Sequence, residues 1–200
     1  MSSTVNGPDG KPRCKWCAVT PEYLHYHDNE WGYPVKDDQR LFEKISLEGF
    51  QSGLSWRTIL AKREQFREAF HQFDFTKIAR FKERDVERLL GNAGIVRHRG
   101  KIEAVINNAQ RADELVEKEG SLAAFIWRYE PAGKSAAPQS LTTSPESVAL
   151  SKDLKKMGWK FVGPTTVFAF MQAMGLLNDH AEGCVIRAKV DKARKQFKRP

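Results

Sequence analysis

Between Gly163-Pro164 and Gly175 runs a ten-residue stretch, TTVFAFMQAM, that is apolar nearly all round a helical wheel. Such a segment is stable in water only when neighbours cover most of its faces, so the chain must build other elements around it. Proline at a first helical position and glycine just past the last are start and stop signals. The neighbours are also helical. Ile102, Val105, Ile106 and Ala109 follow i, i+3, i+4, i+7 spacing, and Leu150, Leu154 and Met157 mark a further stripe. Further helices are expected over about 38–49, 56–71, 84–92 and 121–129. No segment alternates as a strand would, so the expected fold class is all-α.

The chain has 200 residues and is 40% hydrophobic, enough for one domain with a sizeable core. That domain is expected over 13–187, with 1–12 a disordered N-terminal extension and 188–200 a basic C-terminal tail. The low-complexity run PAGKSAAPQSLTTSP, 131–145, reads as a loop between two lobes that ends in a Ser144-Pro145 helix start. The first twelve residues lack the apolar core of a signal peptide, and no apolar run reaches the roughly 20 residues needed to span a bilayer. The expectation is a cytoplasmic protein with no membrane partner. A count of 33 Lys+Arg against 25 Asp+Glu, net +8, suits a polyanion, although charge alone does not separate nucleic-acid binders from other basic proteins. Three cysteines without an export signal argue against a disulfide framework and leave free thiols or metal ligands.

Against that basic background one acid is notable. Glu48 is framed by aromatic residues, with Tyr23, Tyr26 and Trp31 before it and Trp56 after it. A carboxylate among ring faces suits a flat cationic or hydrogen-bonding group such as a nucleic-acid base. The plainer reading is a polar position on an amphipathic helix whose other side holds Leu41, Phe42 and Ile45, with Trp31 and Trp56 in the core. Gly49 and Gly53 favour the pocket, because glycine lets backbone and ligand approach closely.

Two more constellations carry chemistry. Cys14, Cys17, His25 and His27 near one end, and His180 with Cys184 near the other, form a split set of zinc-ligand types. Cys-x2-Cys spacing favours Cys14, Cys17, His180 and Cys184, with His27 the rival ligand. The segment MGWKFVGPTTVFAF, 157–170, ends one helix, carries Lys160 on a short turn and opens the next helix at Gly163-Pro164-Thr165. Free amides at such a helix start, beside a lysine, suit a DNA phosphate; a plain glycine turn is the ordinary alternative. Arg97, His98, Arg99 and Lys101 form a basic cluster of the kind found either on phosphates or at a solvated helix start.

Taken together, YHDNEWG (26–32), LEGFQSGLSW (47–56), AGIVRHRGKI (93–102), FVGPTTVFAFMQAMGL (161–176) and NDHAEGC (178–184) closely resemble the bacterial 3-methyladenine DNA glycosylase I family. The likeness runs in order from about Arg13 to Cys184. It implies a helix-hairpin-helix DNA glycosylase fold, a monomer, alkylated double-stranded DNA as partner, and a structural zinc tying the N- and C-terminal segments. Residue by residue it assigns zinc to Cys14, His27, His180 and Cys184, overruling the spacing-based choice of Cys17. It makes Glu48 the candidate catalytic-site carboxylate, hydrogen-bonding the excised base with Tyr26, while Trp56 stacks on that base and Tyr23 and Trp31 line the pocket. Gly53, Leu54 and Ser55 would fill the gap left in the duplex, and Lys160, Gly163 and Thr165 would meet the phosphates. Related enzymes that also cut the strand carry a lysine where Thr165 stands, so the implied product is an abasic site in an intact strand. The family lacks the usual catalytic aspartate, yet Asp179 falls near where that residue would come.

Charge bookkeeping limits what Glu48 does in such an enzyme. A cation on an aromatic face gains about 0.5–2 kcal/mol, and that attraction fades as the breaking glycosidic bond neutralises the base. Glu48 is therefore expected to select the base rather than drive its departure.

Overall fold

Side-chain oxygens set where the first helices begin in the computed structural model, which describes residues 3–133 and 136–200. Thr20, Asp37 and Ser55 each accept a backbone N–H at the start of α1 (Pro21–Asn29), α2 (Asp38–Gln51) and α3 (Trp56–Ala61). Caps of this kind stabilise a helix by about 0.5–2 kcal/mol each. The helix expected over 56–71 breaks at Lys62, whose backbone leaves helical geometry, and resumes as α4 (Arg63–Ala69). Short α5 (Phe75–Ile78) and α6 (Glu83–Leu90) lead to the long α7 (Arg99–Glu119), capped by His98, and to α8 (Leu122–Ile126), capped by Ser121. Ser144 and Pro145 open α9 (Pro145–Lys156) as expected; α10 (Pro164–Ala173) and α11 (Arg187–Gln196) complete the helices.

The apolar segment is the centre of the molecule. α10 packs on α9 and on α2, burying Val167, Phe168, Phe170, Met171 and Ala173. Each large side chain contributes about 1.5–3 kcal/mol of transfer free energy. Its start and stop are where the sequence puts them. Gly163 is the N-cap, and Gly175 turns the chain at φ +78°, where an added Cβ would stand 2.5 Å from the Tyr33 and Pro34 backbone. Only Ala169 and Gln172 of its inner turns are half-exposed, and both face a cavity.

α2 is buried more completely than its pattern suggests. Every residue from Leu41 to Phe50 is buried, including Glu43, Lys44 and Glu48. The amphipathic reading of this helix is therefore corrected: its polar side is enclosed by α1, α3 and α4 rather than solvated. Gly49 faces the α9–α10 turn, where an added Cβ would lie in ordinary contact with that of Phe161, at 3.4 Å.

Three irregular or charged stretches are more ordered than their composition indicates. Thr4–Asn6 (β1) and Pro12–Cys14 (β2) pair antiparallel, Thr4 opposite Cys14, so the expected disordered extension holds most of a hairpin. Strands of three residues are too short to show alternation. The Arg13 guanidinium ties this hairpin to Asp28 of α1 at 3.0 Å, and Pro12 accepts from the Val185 N–H at 2.9 Å. The basic C-terminal run is mostly α11, docked by buried Val190, by Arg194 on Glu130 at 2.8 Å, and by Phe197 against Trp127. The 131–145 loop folds over the cavity instead of separating two lobes: the Gln139 N–H reaches Asp179 Oδ1 at 2.9 Å. The parts of those expected segments at residues 1–2 and 134–135 lie outside the described residues.

Candidate active site and metal centre

A cavity of about 290 Å³ opens among α1, α2, α3 and α10, lined by Tyr23, Tyr26, Trp31, Glu48 and Trp56. All five sequence-selected pocket residues thus meet on one void. Tyr26 and Trp56 face each other with ring centroids 5.5 Å apart, and Tyr23 stacks beside Tyr26 at 6.5 Å. Burial, reinforced by the Glu48 charge, holds the Tyr26 phenol well above its ordinary pKa, so it remains a neutral hydrogen-bond donor. The Trp56 indole N–H has no hydrogen-bond partner among the described residues.

Sequence reasoning missed several members of this lining, above all Lys44. It stands one turn before Glu48 on α2, with its Nζ 2.7 Å from Glu48 Oε1 and 3.1 Å from the Trp56 ring centroid. Its side chain is only 7% exposed. Burial lowers its pKa, opposed by the Glu48 carboxylate. Trp16, Gln139 and Gln172 also line the cavity, and so does Asp179. The Asp179 carboxylate accepts from the Gln139 N–H and, at 2.6 Å, from Gln172 Nε2, while burial raises its pKa. No signal in the 131–145 composition marks Gln139; Asp179 was visible only by its place after the turn.

A groove of about 350 Å³ adjoins the cavity and shares Glu48, Gln51 and Ala169 with it. One wall is the α2–α3 loop with Gly53 and Leu54; the other is the start of α10 with Thr165 and Thr166. Gly53 takes φ +80°, a left-handed turn with open space around it, and Leu54 is 43% exposed beside Ser55. Lys101 fixes this loop from α7. It is buried and its ammonium donates to the Phe50 carbonyl at 2.9 Å and to that of Ser52. Of the basic cluster around it, His98 caps α7 and Arg99 pairs with Glu83 and Glu103, while Arg97 is exposed.

The turn joining α9 and α10 is clamped by α7. Asn108 bonds both the N–H and the carbonyl of Lys160, at 2.8 and 2.9 Å, and Ser151 Oγ donates to the Val162 carbonyl at 2.6 Å. Phe161 sits there at φ +55°, strained for a residue with a side chain, and 40% exposed. Lys160 is exposed beside it, and the N-cap Gly163 is half-buried.

On the other side of α1, Cys14, His27 and Cys184 bring their ligand atoms within 4.8 Å of one another, all buried. Cys14 ends β2, His27 lies on α1, and Cys184 lies before α11, so three remote segments converge. His180 adjoins them, its ring centroid 4.9 Å from that of His27. Its Nδ1 is 2.8 Å from Asn178 Oδ1, while its buried Nε2 has no partner among the described residues. Cys17 is not one of these three; its thiol donates to the Cys14 carbonyl at 3.1 Å and also hydrogen-bonds with His27.

Electrostatics primes this cluster. The Cys14 hydrogen bond, opposed by burial, pulls the Cys184 thiol down to about 3 and leaves Cys14 holding the proton, its own pKa pushed up. Burial works against the His27 imidazolium, but hydrogen bonds with Cys17, Cys184 and Asp28 raise its pKa to about 10. Burial and the neighbouring His27 push His180 down to about 4, so its ring is neutral. Asp28 lies 2.7 Å from His27 Nδ1, which turns Nε2 towards Cys184.

Residues 16–188 match the Methyladenine glycosylase family model. The chain is 50% identical over 177 residues to DNA-3-methyladenine glycosylase 1 of Escherichia coli K12, across 86% of this chain and 95% of that one. It is 49% identical to the DNA-3-methyladenine glycosylase of Haemophilus influenzae, across 86% and 96%. A solved variant of 3-methyladenine DNA glycosylase I in complex with 3-methyladenine superposes with TM-score 0.82 at 39% identity, covering 88% of this chain and 97% of that one. This chain therefore belongs to the methyladenine glycosylase family.

Proposed function

We propose that the protein removes 3-methyladenine from alkylated double-stranded DNA by hydrolysis, the first step of base-excision repair. The observation that carries the reading is the aromatic cavity with the buried Glu48 carboxylate, in a chain half identical to an enzyme of that name. Reaching the glycosidic bond requires flipping the nucleotide out, at a cost of a few kcal/mol. The groove between Gly53-Leu54 and the start of α10 is the entry, with Leu54 and Ser55 filling the vacated stack. Lys160, Gly163 and Thr165 meet the strand phosphates at the α9–α10 turn, acting as a helix-hairpin-helix element.

Within the cavity Tyr26 donates to the base, Glu48 accepts from it, and Trp56 offers a ring face, with Tyr23 and Trp31 as walls. As the bond between the base and the sugar C1′ breaks, its electron pair goes to the base, which becomes neutral. Water adds at C1′ and releases a proton, leaving an abasic site. Positive charge grows on the sugar and is stabilised by nearby anions, DNA phosphates among them. With Thr165 in the place of a nucleophilic lysine, no covalent link to the sugar forms and the strand stays whole.

Cys14, His27, Cys184 and His180 fit a structural zinc. They offer two sulfurs and two ring nitrogens, three of them already grouped, one thiol ionised, and an orphaned buried nitrogen on the fourth. Bound there, zinc would clasp the N-terminal hairpin and the segment before α11 to α1.

Purified protein incubated with methylated duplex DNA is expected to release free 3-methyladenine and to leave unbroken strands that nick only on alkali treatment. Binding to such DNA without release would instead mark a reader of alkylated bases. Salt-sensitive binding indifferent to alkylation would mark an architectural protein.

A further inference from the structure

Lys44 does not fit a pocket in which the Glu48 carboxylate attracts a cation, because a cation is already paired with it. We propose that Lys44 is a specificity-determining residue whose ammonium, set between Glu48 and the Trp56 ring, cancels the carboxylate's charge, so that the cavity favours the neutral leaving base over the cationic nucleotide. This rests on the reading of the cavity as the 3-methyladenine pocket.

The geometry supports it at each point. Lys44 Nζ lies 2.7 Å from Glu48 Oε1, 3.1 Å from the Trp56 ring centroid and 5.2 Å from that of Tyr26. It thus occupies the electrostatic partners that a methylated adenine would otherwise use: the carboxylate and the ring faces. It does so without filling the void, since about 290 Å³ stays open with Lys44 in place. Two acids close by have arginine partners of their own. Glu30 of α1 pairs with Arg63 of α4 at 2.7 Å, and Glu43 with Arg67 at 2.7 Å. Asp179, across the cavity, has no ion pair among the described residues; Gln139 and Gln172 hydrogen-bond it instead.

The chemical consequence follows from differential binding. A bare Glu48 would hold the cationic nucleotide more tightly than the neutral base it becomes, deepening the ground state and slowing the step. With Lys44 beside it, Glu48 keeps its hydrogen-bond acceptors but presents little net charge. At Glu48 selection then rests on shape and hydrogen bonding, which survive bond cleavage, rather than on charge, which does not.

The test compares two probes by quenching of tryptophan fluorescence at about pH 8: free 3-methyladenine, which is neutral, and 3,9-dimethyladeninium, a fixed cation. Lys44→Met is expected to raise affinity for the fixed cation relative to the neutral base on the order of tenfold. Excision from methylated duplex should slow in single turnover, with KM and kcat falling together. Lys44→Arg, which keeps the charge, should restore the wild-type ratio. Lys44→Gln carries the same test where the methionine variant fails to fold. Equal changes in both affinities, as a merely structural lysine would give, or failure of arginine to restore the ratio, would overturn the proposal. If wild type excises 3-methyladenine and only the probe ratio stays unmoved, the Lys44 proposal alone falls. Wild type that binds neither base and releases none would sink the pocket reading and this proposal together.

Discussion

Helix α1 separates two buried polar clusters that solve opposite problems. On one face His27 joins Cys14 and Cys184, donors gathered from three remote segments with no protein cation among them except a proton on His27. On the other, Tyr26 faces a carboxylate that carries its own cation, Lys44, one helical turn away. On the proposed reading the first cluster takes up a zinc ion, while the second pairs its two charges within the protein and keeps open space for a base. Under the proposed reading a metal held by remote segments would add its binding free energy to folding, while a pocket whose carboxylate has its own counter-ion could fill and empty at each turnover.

The comparison breaks most visibly at the clasp. Protein as purified is expected to carry one zinc per chain by elemental analysis, and Cys184→Ser to lose most of it. Removing the metal with a chelator should cost about 4 kcal/mol or more, a drop of roughly 8–16 °C in Tm for a chain of this size. A Tm indifferent to both chelator and Cys184→Ser would make the cluster a set of satisfied core side chains.

The cavity should respond differently, because breaking its pair leaves a charge behind. Glu48→Gln strands the buried Lys44 ammonium, which is expected to cost about 3–5 kcal/mol in urea unfolding. Adding Lys44→Met should return stability to within about 1–2 kcal/mol of wild type, since a neutral pair replaces an ionic one. Excision by Glu48→Gln should fall, but by less than about a thousandfold, as expected of a selecting group. A larger loss with substrate binding intact would give Glu48 a direct part in bond breaking. A double variant no more stable than Glu48→Gln alone would mean that the ion pair is not what holds this wall.

The two clusters also differ in how far they could be read from sequence. Cys14, His27, His180 and Cys184 are rare residue types, and although spacing alone favoured Cys17 over His27, the motif order pointed to His27. The cavity aromatics were legible because they crowd a single carboxylate. Lys44 was not, since a lysine on an amphipathic helix ordinarily faces water, and only the packing of α1, α3 and α4 around α2 encloses it. α10 was legible down to its glycines because an all-round apolar helix admits one kind of environment. The β1–β2 hairpin and the Gln139 contact were illegible for a shared reason: each is fixed by remote partners, Arg13 with Asp28 and Gln139 with Asp179, and not by local pattern.

The smallest expected effect lies beyond Tyr26 and Lys44, in a separate pocket where Glu30 and Arg63 repeat the Glu48–Lys44 arrangement in a wetter setting. Burial would raise the Glu30 carboxyl, but the Arg63 guanidinium at 2.7 Å outweighs it and holds the group below its ordinary 4.5. A depressed carboxylate contributes stability that is present above the unfolded value and is lost as pH falls through the folded one. Wild type should therefore lose stability below about pH 4.5 more steeply than Glu30→Gln, and the two should differ by an amount independent of pH above roughly 6. Parallel curves from acid to neutral pH would show that this pair, unlike the enclosed one behind it, is screened to no effect, and that enclosure rather than pairing gives the Lys44–Glu48 couple its influence.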